Sequence, residues 1–498
     1  MLQKNLQIIT KYLYPALILI MSLALLYPRL AKLGYSEYIP DETTVMGPIK
    51  DGDLSMDFLL MQRKGPMQFL TAGLVSLTGV SVYNELLYRI PFFVASVLGL
   101  YFFFRFLNNM EGRFVAVTAT LFLGLNGMLI AFGRIVQYQS LNFLFSFAGL
   151  YFLSLLGSDQ HRVRNSILGS LFLCLSVLSH WDMIFVLPVA IFLIFKHILL
   201  SDLRKKQKNA LVGALFLPFV VVFLPFFINY CGVGLSDAGN IDYFNSRLGL
   251  AEFSMEALVH KIEGYIERAE LYNPFVYLYA IGILSFVGLV GSKRSYPYFY
   301  WFLYTFLIFM LFISKSGTHI YNLFYPLSVL AALGSSYIFQ LFKGFFSKAV
   351  LVLLFFLFGF FLYQAQVLFV DTTKEYPWVQ EEIFGYKTNS YNAKSLPNNI
   401  IGFPIYRGWE KAAEFLNAEN VRNGSDIPYI TNEVTSISGF YLDLKKGTGS
   451  EYYAIGVKRP LSFTTDYTFP TVKNKKTIEK IEVNGENVMR IYKVTVND

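Results

Sequence analysis

Apolar runs of about 20 residues, roughly the length an α-helix needs to cross a bilayer, recur through the chain from its N-terminus to residue 370. No water is available to backbone groups inside lipid, so such runs must close their hydrogen bonds within themselves, as helices do. They fall at 12–28, 89–107, 114–132, 138–157, 166–180, 183–200, 210–230, 272–291, 297–314, 320–340 and 349–370, eleven expected spans. Only 15% of residues are charged, against about a quarter in soluble domains, and mean hydropathy is +0.45. The fold class expected is an α-helical polytopic membrane protein.

The basic residues give the chain a sidedness. With the N-terminus inside, one set of connections carries Arg113, then Arg162 and Arg164, then Arg204, Lys205, Lys206 and Lys208, then Lys293 and Arg294, and last Lys343 and Lys348. Short basic loops mark the cytoplasmic side. The formal net charge of +8 therefore reflects these loops and indicates no nucleic-acid partner. Lys4 and Lys11 precede the first run, but no small-residue cleavage site follows it, so it reads as an uncleaved span. The connections 29–88 and 231–271 fall outside, as does everything after residue 370. The two cysteines, Cys174 and Cys231, form no CxxC pattern and suggest no disulfide.

Asn165 to Phe195 tests this count. As one helix its 31 residues would run about 46 Å, too long for a hydrocarbon core of about 30 Å, and both flanks are basic. The chain is expected to turn back at Ser179-His180-Trp181-Asp182. The outer loop 29–88 begins acidic, with Asp41, Glu42, Asp51, Asp53 and Asp57, and residues 66–80 suggest a helix lying on the outer leaflet. The expected division is a transmembrane catalytic domain, 1–370, and a small α/β extracytoplasmic domain, 371–498. In the latter, Trp409 to Leu416 reads as an amphipathic helix; Tyr429-Ile430, Phe440-Tyr441 and Val488 to Val496 read as strands.

Several polar residues sit where chemistry could use them. Asp41-Glu42 lies at an outer mouth, suited to a general base or a cation ligand, although a solvated acidic loop would look the same. Arg63, Lys64, Arg89 and Arg134 lie near outer membrane edges, as snorkelling anchors or as phosphate ligands. Arg134 precedes the polar group Gln137, Tyr138 and Gln139. His180 and Asp182 flank Trp181 in the expected turn; His319, Tyr321, Asn322 and Tyr325 lie where the tenth span begins. No H-x-x-x-H or H-E-x-x-H spacing identifies a metal site, though Asp41-Glu42 could hold a divalent cation.

The order of these features resembles the polyprenyl-phosphate-sugar-dependent transferases of the GT-C superfamily. Within them it is most similar to the dolichyl-phosphate-mannose protein mannosyltransferase and aminoarabinose transferase group. The matching pieces are Pro40-Asp41-Glu42, Lys64-Gly65-Pro66-Met67-Gln68-Phe69, Gly79-Val80-Ser81, Tyr88-Arg89-Ile90-Pro91 and Gly99. Then come Gly133-Arg134, Ser179-His180-Trp181-Asp182, Thr318-His319-Ile320-Tyr321 ahead of Pro326, and Gly408-Trp409-Glu410 with Ala412-Ala413. Each is short; their order carries the resemblance. It implies Asp41 as the catalytic carboxylate with Glu42 beside it, Lys64 on the donor phosphate and Arg134 near the active site. Arg63 and Arg89 join the phosphate-binding candidates, and His180, Asp182, His319, Tyr321 and Tyr138 the substrate pocket. Relatives often carry Pro-Pro or His-Pro-Pro where this chain has Lys-Gly-Pro.

The implied reaction moves a sugar from a polyprenyl-phosphate donor to an acceptor protein, lipid or glycan. A base takes the acceptor proton, and cations stabilise the departing phosphate. A single displacement inverts the anomeric carbon, through a transition state of oxocarbenium character. The alternatives are a lipid-linked oligosaccharide transferase or polysaccharide polymerase, and a lipid or sugar transporter. A transporter would place charges mid-span and show inverted repeats.

Overall fold

The long apolar runs do become helices. The computed structural model describes residues 19–157, 161–247, 254–274, 276–314, 317–342, 344–389, 400–424, 426–462 and 475–496. The beginning of the first expected span, 12–18, and Lys4, Lys11 and Lys343 lie outside the described residues. Each of the eleven expected runs carries helix. Among the described residues, five helices are long and apolar enough to cross a membrane: Glu85–Met110, Tyr138–Gly157, Lys205–Ser236, Gly317–Leu341 and Phe345–Val370. The bent pair Met255–Tyr272 and Val276–Gly291 makes a sixth if it counts as one span. Leu19–Leu30, Arg113–Gly124 and Leu187–Leu199 are shorter apolar helices. The chain is a multi-pass membrane protein.

Two compact units divide the chain, and the division does not follow a single cut at residue 370. The first comprises 1–31, 54–71 and 90–366; the second comprises 32–53, 72–89 and 367–498.

In the first unit the expected break is present. The helix Arg162–Ser179 stops, His180 is extended, and a 3-10 turn covers Trp181–Phe185 before Leu187–Ile194 resumes. Elsewhere small residues let helices approach closely. A Cβ at Gly334 would collide with the Leu284 carbonyl, and one at Gly288 with the Leu330 carbonyl, so Val276–Gly291 lies tight against Phe324–Leu341. Phe345–Val370 buries no residue before Phe361, as a lipid-facing helix does, and packs inward only in its last turns.

The second unit is built on a four-stranded sheet. Its strands are β3 (Tyr429–Thr431), β4 (Glu451–Val457), β5 (Lys475–Val483) and β6 (Glu486–Thr495), in the order β3-β4-β6-β5. β3 runs parallel to β4, and the other pairs are antiparallel. A small ladder joins β1 (Glu382–Ile383) to β2 (Tyr386–Lys387). The helix Trp409–Asn423 buries Trp409, Ala412 and Leu416, one face of its 3.6-residue period. Phe440-Tyr441 is not a strand. It ends the helix Thr435–Tyr441, whose buried Ile437, Phe440 and Tyr441 follow the helical spacing i, i+3, i+4.

Residues 36–38 tie the early segment to this unit. The Glu37 N–H donates to the Ile405 carbonyl at 3.2 Å. Its carboxylate accepts from the backbone N–H groups of Arg407 at 2.8 Å and Trp409 at 2.5 Å, at the start of Trp409–Asn423. Helix N-termini favour such a carboxylate. Burial nevertheless pushes the Glu37 carboxyl up to about 7, against the pull of those two donors.

Candidate functional site

The candidate residues separate between the two units. In the second, Asp41 and Glu42 occupy the first turn of the helix Pro40–Lys50, behind Pro40 at its first position. Asp41 is half-buried, while Glu42 is fully buried. Glu42 closes a capping box by accepting the Ile39 N–H at 3.2 Å. Its two oxygens also receive Nε and Nη2 of Arg89, both at 2.8 Å. Arg89 spends its remaining donors on the carbonyls of Leu33, Ser36 and Glu37. A guanidinium has five N–H groups, and here all five are used within one unit. None is left for a phosphate.

The other candidates belong to the first unit. Arg134 is buried, and its Nη1 donates to the carbonyls of Pro28 and Ala31, each at 2.8 Å, at the end of the helix Leu19–Leu30. Helix C-termini leave such carbonyls without internal partners, so this arginine caps the first span.

Arg63-Lys64-Gly65 forms a turn against the break at residues 179–182. Gly65 has a φ of +87°, and a Cβ there would strike the Leu178 carbonyl oxygen, so only glycine brings the turn this close. The Trp181 indole donates to the Arg63 carbonyl at 3.1 Å. Lys64 Nζ consequently sits 5.6 Å from the centroid of the Tyr138 ring. The opposed Tyr138 and His180 rings stack at 3.9 Å, and His180 stacks on His319 at 5.0 Å. Asp182 fixes this column. His319 Nδ1 lies 2.8 Å from Asp182 Oδ2, and the Tyr321 hydroxyl donates to the same oxygen at 2.8 Å. His180 Nδ1 lies 3.0 Å from Oδ1. Burial alone would raise the Asp182 carboxyl, but the imidazoles of His319 and His180 hold it well below the usual carboxylate range.

Five expected pocket residues, Tyr138, His180, Asp182, His319 and Tyr321, thus meet in one cluster with Lys64 beside it. The ligand atoms of His180, Asp182 and His319 lie within 4.8 Å of one another, a nitrogen and oxygen set that suits a divalent transition metal.

No family model and no curated protein matches the chain. Among solved structures, ArnT from Cupriavidus metallidurans in the apo state aligns over 96% of this chain and 98% of its own, at 12% identity and a TM-score of 0.50. The same protein bound to undecaprenyl phosphate gives equal values. The chain shares its overall fold with this ArnT structure. The oligosaccharyltransferase AglB from Archaeoglobus fulgidus aligns over 94% of this chain and 62% of its own, at 11% identity and a TM-score of 0.49.

On this scaffold two cations escaped the sequence reading. Arg247 and Arg268 come from the connection 231–271. Their Nη1 atoms and Cδ2 of His319 all lie within 4 Å of the point where a Cβ on Gly317 would stand. One signal for Arg268 was available: it projects from the side of the helix Met255–Tyr272 opposite the exposed Met255, Val259 and Ile266.

Proposed function

We propose that the protein is a membrane glycosyltransferase that moves a sugar from a polyprenyl-phosphate donor to an acceptor hydroxyl on the outer membrane face, with inversion. The observation that carries this reading is the meeting of Lys64 with Tyr138, His180, Asp182 and His319 in one cluster, in a membrane fold of GT-C type. The N-terminus is cytoplasmic, eleven spans cross the membrane, and the C-terminal domain is outside.

In this reading Asp41 is the general base and takes the acceptor proton as the hydroxyl attacks the anomeric carbon. Lys64 holds the donor phosphate and offsets the charge that grows as it leaves. His319, oriented by Asp182, faces the same phosphate, and Arg63 stands at the rim, 3.9 Å over the Tyr243 ring. Arg89 and Arg134 pass from phosphate ligands to positioning residues: the first holds Glu42 and the segment 33–37, the second the end of the first span. Glu42 itself orients the helix start that presents Asp41. A divalent cation, if one takes part, would be held by His180, Asp182 and His319, where it would supply Lewis-acid stabilisation to the phosphate.

The test is to offer purified protein a panel of radiolabelled polyprenyl-phosphate sugars and follow release of label from the lipid. Asp41→Asn should lower transfer by about 10²- to 10⁴-fold while donor binding stays intact. Full transfer by Asp41→Asn would remove Asp41 from the mechanism, and no release from any donor would remove the reaction.

A further inference from the structure

His180 Nδ1 faces two incompatible demands. The Asp182 backbone N–H donates to it at 3.1 Å, which needs a lone pair on the nitrogen. Asp182 Oδ1 lies 3.0 Å from the same atom, which needs a proton there. A ring nitrogen carries one or the other. A metal ion bound by Nδ1 and Oδ1 together would meet the lone pair and the carboxylate without a proton. His319 completes the set, with its Nδ1 2.9 and 2.8 Å from the two oxygens of the same carboxylate. Ligand atoms held by one ion at about 2.0–2.2 Å stand roughly 3 Å apart in adjacent positions, so these separations already suit a shared ion.

We propose that His180, Asp182 and His319 form a resident site for one divalent transition-metal ion of the zinc class, selective over magnesium and calcium. Selectivity follows from donor type. Two imidazoles and a carboxylate suit zinc and its neighbours, whereas magnesium and calcium prefer oxygen throughout. The surroundings hold the ligands in place. The Tyr321 hydroxyl donates to Asp182 Oδ2 at 2.8 Å, and the Tyr138 ring stacks on His180 at 3.9 Å. Asn142 Nδ2 donates at 3.1 Å to the His180 carbonyl and to that of Ser176, which fixes the backbone where the helix Arg162–Ser179 ends. Outer contacts of this kind orient metal ligands. Three protein ligands leave at least one position open, and His319, the one ligand that is partly exposed, marks the side from which it is reached. The occupant of that position, a donor phosphate, rests on the transferase reading above; the ion itself does not.

The experiment strips full-length protein of metal with a chelator, then titrates it with cobalt(II), whose visible absorption reports its ligands, and afterwards with zinc. Wild-type protein should bind one cobalt ion per chain, yield it to zinc, and hold it against a large excess of magnesium or calcium. His180→Ala and His319→Ala should lose the cobalt spectrum. His260→Ala, which removes an imidazole that is 91% exposed, should keep it. Tyr321→Phe retains the ring and removes only the hydroxyl on Asp182, and should weaken zinc binding by about tenfold to a hundredfold. It keeps the test decisive should a histidine variant fold poorly. No cobalt bound by wild-type protein would overturn the proposal. So would a spectrum unchanged in both histidine variants, or displacement of cobalt by magnesium as readily as by zinc. Metal binding without release of sugar from any labelled donor would uphold the site and bring down the transferase reading.

Discussion

Arg89 and Arg268 look alike in sequence, each a cation near a predicted membrane edge, yet their surroundings are opposite. Around Arg89 a carboxylate and three carbonyls take every N–H, and the side chain is 2% exposed. Around Arg268 stands a second guanidinium and no acceptor among the described residues. A buried charge costs several kcal/mol unless it is paired. An arginine whose partners are internal is therefore part of the architecture, and Arg268 has no such set of partners among the described residues. Glu42 and Asp41 repeat the contrast between neighbours: one is locked to Arg89, and the other is half-buried at a helix start.

The largest effect should come from breaking the satisfied pair. Glu42→Ala leaves Arg89 buried without its carboxylate, and should cost about 3–5 kcal/mol, read as a large fall in the unfolding midpoint. The double variant Glu42→Met with Arg89→Met should lose less than either single change. A Glu42→Ala protein as stable as wild type would refute the architectural role. On the other side of the comparison, Lys64→Ala should leave the midpoint nearly unchanged. It should instead weaken undecaprenyl phosphate binding by about tenfold to a hundredfold. A stability loss without a binding loss would class Lys64 with Arg89.

A pH series probes the buried Glu37 carboxyl, which ties residues 36–38 to the start of the helix Trp409–Asn423. The folded pKa of Glu37, about 7, lies above its ordinary value of 4.5, so the folded protein holds this proton more tightly than the unfolded chain does. Its contribution is complete below pH 4.5 and is lost as pH rises to about 7, at most about 3 kcal/mol. The midpoint should fall from pH 5 to pH 8, and Glu37→Gln should flatten part of that slope. Glu433 and Glu85, likewise pushed up to about 7 by burial, contribute with the same sign. A slope identical in wild type and Glu37→Gln would contradict this. The smallest effect belongs to Lys50, paired at 2.7 Å with an Asp443 side chain that is 70% exposed. Lys50→Ala should cost no more than about 1 kcal/mol by midpoint, since solvent screens such pairs; a loss near that of Glu42→Ala would erase the distinction.

Parts of the site were legible before any coordinates. The basic flanks of 165–195 and its excess length placed the break at Ser179 to Asp182. The candidates Tyr138, His180, Asp182, His319 and Tyr321 were named from polar residues at span ends, where a charge needs a reason. Phe440-Tyr441 was misread because two adjacent aromatics fit either period, and only the burial of Ile437 three residues earlier shows the helix. Arg247 was passed over because a basic residue in a long loop carries no local mark of its environment, and Arg268 because the helical period of Met255–Tyr272 was not followed.

Sequence by itself determined the membrane helices. An apolar run of sufficient length closes its own hydrogen bonds, and that condition is local. Tertiary structure decided which charges are neutralised. Glu42 meets Arg89 across 47 residues and His319 meets Asp182 across 137, while Arg268 comes to lie beside Arg247. Electrostatic energy depends on separation in space and on burial, and neither can be read from position along the chain.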